Sequence, residues 1–107
     1  MNSDRFISPC KPPEGRTREL LVCLMEEAAE VQQRAAKALR FGVEEIQPGQ
    51  PYSNLRRLLT EIGDFDAVVE RIINGCEHSG PLWEVLDLAR AEKHAKLDKY
   101  LQSEPTP

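Results

Sequence analysis

The sequence lacks the features that mark several large classes of protein. Its three cysteines, Cys10, Cys23 and Cys76, are odd in number and form no CxxC pair. A disulfide framework and a cysteine zinc site are therefore not what organises the chain, and Cys23 and Cys76 read as small apolar residues of a reduced, cytoplasmic protein. The two histidines, His78 and His94, have no zinc-ligand spacing and read as surface residues. No apolar run approaches the length of a membrane span, and no signal-type apolar region follows Met1. There is no glycine-rich phosphate loop, and no Ser/His/Asp pattern with local support. Nor is there a surplus of positive charge: the formal net charge is −4, which argues against binding nucleic acid polymers through a broad basic face.

What the chain does have is two acidic segments with helical spacing. The first reads Glu26-Glu27-Ala28-Ala29-Glu30 and the second Glu61-Ile62-Gly63-Asp64. Each sets two carboxylates three positions apart, which stacks them on one face of a helix where they repel. Two such pairs on neighbouring helices suggest a hard divalent cation held between them.

Around these segments the sequence predicts an all-α fold of three helices. Residues 1–16, with Pro9, Pro12, Pro13 and Gly15, read as a flexible arm in which Phe6 and Ile7 dock on the core. Residues 17–101 read as the domain and 102–107 as a flexible tail. Thr17 is the expected N-cap of a first helix that runs to Phe41 and stops at Gly42. With Glu27 at zero, Leu20, Leu24, Ala28, Val31, Ala35 and Ala38 fall between about +20° and +100° and form one apolar stripe. Glu27 and Glu30 lie along its edge, followed by Arg34 and Lys37, while Glu26 points further round. A loop over 42–53 precedes a second helix, capped by Ser53 and stopped by a left-handed Asn74-Gly75. With Glu61 at zero, Leu58, Ile62, Phe65, Val69 and Ile72 repeat the stripe, and Glu61 and Asp64 repeat the edge.

Equivalent edges lie on the same side only if the two helices pack antiparallel, which the twelve-residue loop permits. Glu30 lies about 16 Å of helix before the loop and Glu61 about 12 Å after it, so the four carboxylates Glu27, Glu30, Glu61 and Asp64 are expected at one level. A connection over 76–82 leads to a third helix, with Pro81 in its first turn and its end near Leu101. Trp83, Leu86, Leu97 and Leu101 share its stripe, which Arg90 and Lys93 interrupt.

A cluster of oxygen ligands on rigid helices suits Mg²⁺, for which Mn²⁺ can stand in, and leaves positions for phosphate oxygens. A di-iron bundle would need Glu-x-x-His, which neither segment has. Arg34 and Lys37 are candidates for the phosphates of a ligand, or simply neutralise Glu30 and Glu27 along the helix. Lys93 is a further candidate, or packs its stem and extends its ammonium to solvent; Lys96 and Arg90 are weaker ones. Tyr52 is the expected nucleobase-stacking residue because it lies in the loop, whereas Trp83 reads as core.

Taken together, Glu26-Glu27-x-x-Glu30 and Glu61-x-x-Asp64 resemble the EExxE…ExxD signature of MazG-like proteins. These belong to the all-α nucleoside triphosphate pyrophosphohydrolases, with relatives among dimeric dUTPases and phosphoribosyl-ATP pyrophosphohydrolase. Lys37-Ala38-Leu39-Arg40-Phe41-Gly42 is similar to the small stand-alone members of bacteria and their phages. The resemblance spans residues 17–100 and departs from the pattern in the thirty positions between the two motifs, on the long side. It implies Mg²⁺-dependent hydrolysis of a nucleotide to its monophosphate and pyrophosphate. The metal would lie on Glu27, Glu30, Glu61 and Asp64, with Glu30 or Glu61 as base, and Lys93 and Lys96 would match the later basic residues. It also implies a homodimer or homotetramer in which hairpins complete a four-helix bundle. The rival expectation is a non-catalytic helical oligomerisation module whose acidic edge binds metal or a basic partner.

Overall fold

The computed structural model describes residues 12–102. Phe6, Ile7, Cys10 and the last five residues of the expected tail lie outside them. Three helices make up the regular structure of this part: α1 Gly15–Phe41, α2 Asn54–Asn74 and α3 Ser79–Tyr100. The fold is therefore all-α, as the periodicity requires. None of these helices is long and apolar enough to cross a membrane. The chain divides into two compact units, one running through Ile72 and the other starting at Ile73.

In the first unit α1 and α2 are antiparallel. Asn54 meets Gly42 at the loop, while Glu27 acts on Asp64 and Glu30 on Glu61 further up. Residue numbers thus fall on one helix as they rise on the other. α1 begins at Gly15 rather than Thr17, after an N-cap Glu14 that makes no side-chain cap. It ends as expected at Gly42, whose φ of 101° suits glycine and whose N–H reaches Ala38 O. Ser53 caps α2, its Oγ accepting the Arg56 N–H at 3.2 Å.

The loop is more ordered than its prolines and glycines suggest. Gln50 N–H bonds Gln47 O across Pro48-Gly49, with Gly49 at φ 80°, a type II turn. Residues 43–47 then fold back along the first turn of α2. Asn54, only 2% exposed, donates Nδ2 to Gly42 O at 2.9 Å and to Glu45 Oε1 at 3.3 Å, and its N–H reaches Glu45 O.

The seam between the helices is displaced from the predicted stripe. The more sheltered side chains of α1 include Leu20, Leu24, Glu27, Val31, Arg34 and Ala38; those of α2 include Asn54, Leu58, Glu61, Phe65, Val68 and Ile72. Both sets step four, three, four, three, four, the spacing of helices that interlock at a shallow angle. Glu27 and Glu61 lie within this seam, not at its edge. Ala28, Ala35 and Ile62, expected inside, are exposed. The reason is width: the apolar arc of each helix is broader than one neighbour covers, so one flank packs and the other stays open. Ala28, Val31, Ile62 and Phe65 line an open apolar hollow of about 340 Å³ on that flank.

In the second unit the left-handed residue is His78, at φ 58° and ψ 49°, and not the expected Gly75. The link from α2 to α3 is consequently shorter than the expected 76–82, and Pro81 falls third in α3. Trp83 is half-buried and donates Nε1–H to Asn74 Oδ1 at 3.0 Å. Leu86 and Leu97 share its side of the helix, but Leu101 lies past the last turn and is 65% exposed. Cys23 and Cys76, read as small apolar residues, are both free and exposed.

Candidate metal centre

The hairpin brings carboxylates from both helices together because the i, i+3 pairs share a level in the antiparallel register. Glu27, Glu61 and Asp64 each offer an oxygen within 4.8 Å of the other two. Glu30 stands against Glu61, close enough for the two to share a hydrogen bond when one is protonated. Glu27 and Glu61 are half-buried; Glu30 and Asp64 are exposed. Burial pushes the Glu27 carboxyl above its ordinary value, and the charges of Asp64, Glu30 and Glu26 push it further the same way. Burial likewise raises Glu61, followed by the charge of Glu30, the hydrogen bond with Glu30, and the charges of Asp64 and Glu27. Glu26 is exposed and touches the cluster only through its field.

These residues fit a small hard cation. An octahedral ion with bonds of about 2.1 Å sets its ligands roughly 3 to 4 Å apart, so a slight inward turn of the three side chains would close on it. Glu27 Oε2 is shielded from solvent and has no hydrogen-bond partner, which a cation would supply.

The basic candidates divide. Arg34 and Lys37 are half-buried on the same helix as Glu27 and Glu30, yet neither forms an ion pair among the described residues. Arg34 Nη1 is shielded and without a partner. Neutralisation of Glu30 by Arg34 along α1 is thus not made. Lys93 and Lys96 are exposed residues of α3, and the hairpin itself gathers neither. Tyr52 is 45% exposed just before α2, with the Arg56 guanidinium 3.7 Å from its ring centre, so one face of the ring is taken. About 10 Å of helix separate it from Glu61.

Sequence reasoning missed two residues. Asn54 ties the loop to α2; the signal was a polar residue placed directly after the Ser53 cap, where no cap is needed. Arg57 is half-buried on α2, its Nη1 donating to Gln47 Oε1 at 3.4 Å. Its signal was the four-residue spacing to Glu61, the reflection of Glu30 and Arg34.

Comparison with protein-family models, with curated proteins and with solved structures finds no match for this chain.

Proposed function

We propose that the protein is a Mg²⁺-dependent nucleotide pyrophosphohydrolase that cleaves a nucleoside triphosphate to the monophosphate and pyrophosphate. The observation that carries this reading is the convergence of Glu27, Glu61 and Asp64 from two helices, with the Glu27 oxygen left without a partner. The resemblance of Glu26-Glu27-x-x-Glu30 and Glu61-x-x-Asp64 to the MazG-like signature supports the same chemistry.

In this reading Glu27, Glu61 and Asp64, with Glu30 beside them, hold the cation. Bound there, Mg²⁺ supplies charge neutralisation and polarises phosphate oxygens. Glu30 or Glu61 takes the proton of the attacking water. A new P–O bond forms at the α-phosphorus, and the bond to the bridging oxygen breaks. Its electron pair leaves with pyrophosphate. Lys93 and Lys96 are assigned to substrate phosphates by resemblance alone.

The open flank supports an oligomer. Leu21, Met25 and Leu39 on α1, and Leu55, Leu59 and Ile62 on α2, are exposed at the same four-three spacing one residue along from the seam. A second hairpin seated on that flank completes a four-helix bundle and extends burial over apolar side chains that the single hairpin leaves wet. Such a face also suits a non-catalytic assembly module, and activity separates the two. A nucleotide panel with Mg²⁺ is expected to release pyrophosphate over many turnovers and to stop with chelator. Release at or below one equivalent per protein across the panel would favour the module.

A further inference from the structure

The carboxylates gather with one another although cations were within reach. Glu30 and Arg34 are four apart on α1, and Arg57 and Glu61 are four apart on α2, the spacing at which opposite charges pair along a helix. Neither pair is made among the described residues, nor does Lys37 find a carboxylate. In the antiparallel register the consequence is a segregation of charge. Taking Glu27 and Glu61 as zero on their helices, Arg34 lies at about −20° and Arg57 at about −40°, on the edge shared with Glu30 and Asp64. Each arginine sits about 6 Å along its helix from Glu30 or Glu61, and both displacements run toward the loop. The seam therefore presents an acidic level and, one turn nearer the loop, a basic one made of Arg34 and Arg57, with Lys37 a further turn on.

We propose that Arg34 and Arg57, with Lys37 beside them, form a phosphate-binding shelf adjoining the carboxylate cluster. The ligand class is a di- or triphosphate chain that runs from the acidic level toward the loop. Identification of that chain with a nucleotide's rests on the function proposed above; the binding of its phosphates does not. Three features carry the assignment. All three cations are half-buried, Arg34 within the seam and Lys37 and Arg57 beside it, where long cationic stems otherwise reach out to water. One nitrogen of the Arg34 head, Nη1, is shielded and has no acceptor, so that part of the guanidinium is not simply extended to water. Arg57 is held from the other side by Gln47 of the folded-back loop, which leaves its remaining N–H groups free of any carboxylate. Guanidinium groups from two helices, unpaired with the carboxylates one turn off, are the groups that take phosphate oxygens in a fork. The arrangement also gives a bound nucleotide a direction, with the terminal phosphates at the loop end and the α-phosphate at the carboxylates.

The test is calorimetric titration of the full chain, first with Mg²⁺ alone and then with inorganic pyrophosphate in the presence of Mg²⁺. Wild type is expected to bind both. Arg34→Ala and Arg57→Ala are each expected to weaken pyrophosphate by about tenfold or more, the scale of a lost charge-assisted bond, and to leave the Mg²⁺ isotherm unchanged. Arg71→Ala, at an exposed cation in the last turn of α2, is expected to change neither. If an alanine variant does not fold by circular dichroism, Arg34→Gln or Arg57→Gln keeps much of the length without the charge and decides in the same way. Wild-type pyrophosphate affinity in both folded variants, or no pyrophosphate binding by a wild type that takes Mg²⁺, would overturn the shelf and leave the metal reading intact. Arginine-dependent pyrophosphate binding with no uptake of Mg²⁺ would support the shelf and overturn the metal reading instead.

Discussion

At Glu27 the cost of burial and the repulsion of Asp64, Glu30 and Glu26 act in one direction, and Glu61 is pushed the same way. The consequence for stability has a definite sign. Both groups hold protons more tightly folded than unfolded, so their contribution is present below the ordinary value of 4.5 and is lost as pH rises through the raised values. The metal-free protein is therefore expected to melt at lower temperature as pH climbs above 4.5 through the raised values. Saturating Mg²⁺ should flatten that decline, and Glu27→Gln should flatten it without metal. A melting temperature that rises through this window in the metal-free wild type would contradict the crowding of charges. The four acids could be read from the sequence because an i, i+3 repeat is a local property of a helix. Arg57 could not be found that way: only antiparallel packing turns a residue four before Glu61 into a neighbour of the Arg34 level. The exposure of Cys23 and Cys76 is likewise not a local property: apolar character does not fix which flank of a broad arc is covered.

Among the elements, the loop between α1 and α2 matters most for holding the cluster in register. Its fixed point is Asn54, whose side chain serves both Gly42 O and Glu45 Oε1 from a buried position. Asn54→Ala leaves the Gly42 carbonyl without that donor and is expected to cost about 1–3 kcal/mol in denaturant unfolding. Ser53→Ala, at the cap, is expected to cost about 1 kcal/mol. Equal, negligible effects of the two would show that the loop is not fastened in this way. The helix end at Phe41, with its Gly42 stop, and the Ser53 cap followed from stop and cap chemistry, which acts within a few residues. The return of residues 43–47 along α2 did not, because its bonds join Val43 and Glu45 to Leu55 and Asn54 across the loop. The left-handed position likewise moved from Gly75 to His78, since local preference there yields to the start of α3. The offset of the seam by about one residue has a similar origin, as periodicity gives an arc but not which part of it a single neighbour covers.

For the molecule as a whole, the exposed second line of apolar residues is the largest unexplained cost of a monomer. None of the large apolar side chains on α1 and α2 is fully buried. If the proposed bundle forms, light scattering at micromolar concentration is expected to give a multiple of 12.1 kDa. Met25→Glu or Ile62→Glu should lower that mass, because each sets a charge in the open flank next to the seam; a wild type at 12.1 kDa would remove the bundle from the account. The all-α architecture and the four acids were readable because both rest on helical period, whereas assembly rests on surfaces that the sequence marks only as apolar. The proposed metal-dependent chemistry is tested most directly by steady-state pyrophosphate release in wild type and Glu61→Gln, with circular dichroism to show that both are folded. The prediction is Mg²⁺-dependent turnover in wild type and a kcat lower by at least about 10²-fold in Glu61→Gln, the scale of a lost electrostatic stabiliser. Wild-type kinetics in a folded Glu61→Gln protein would contradict it.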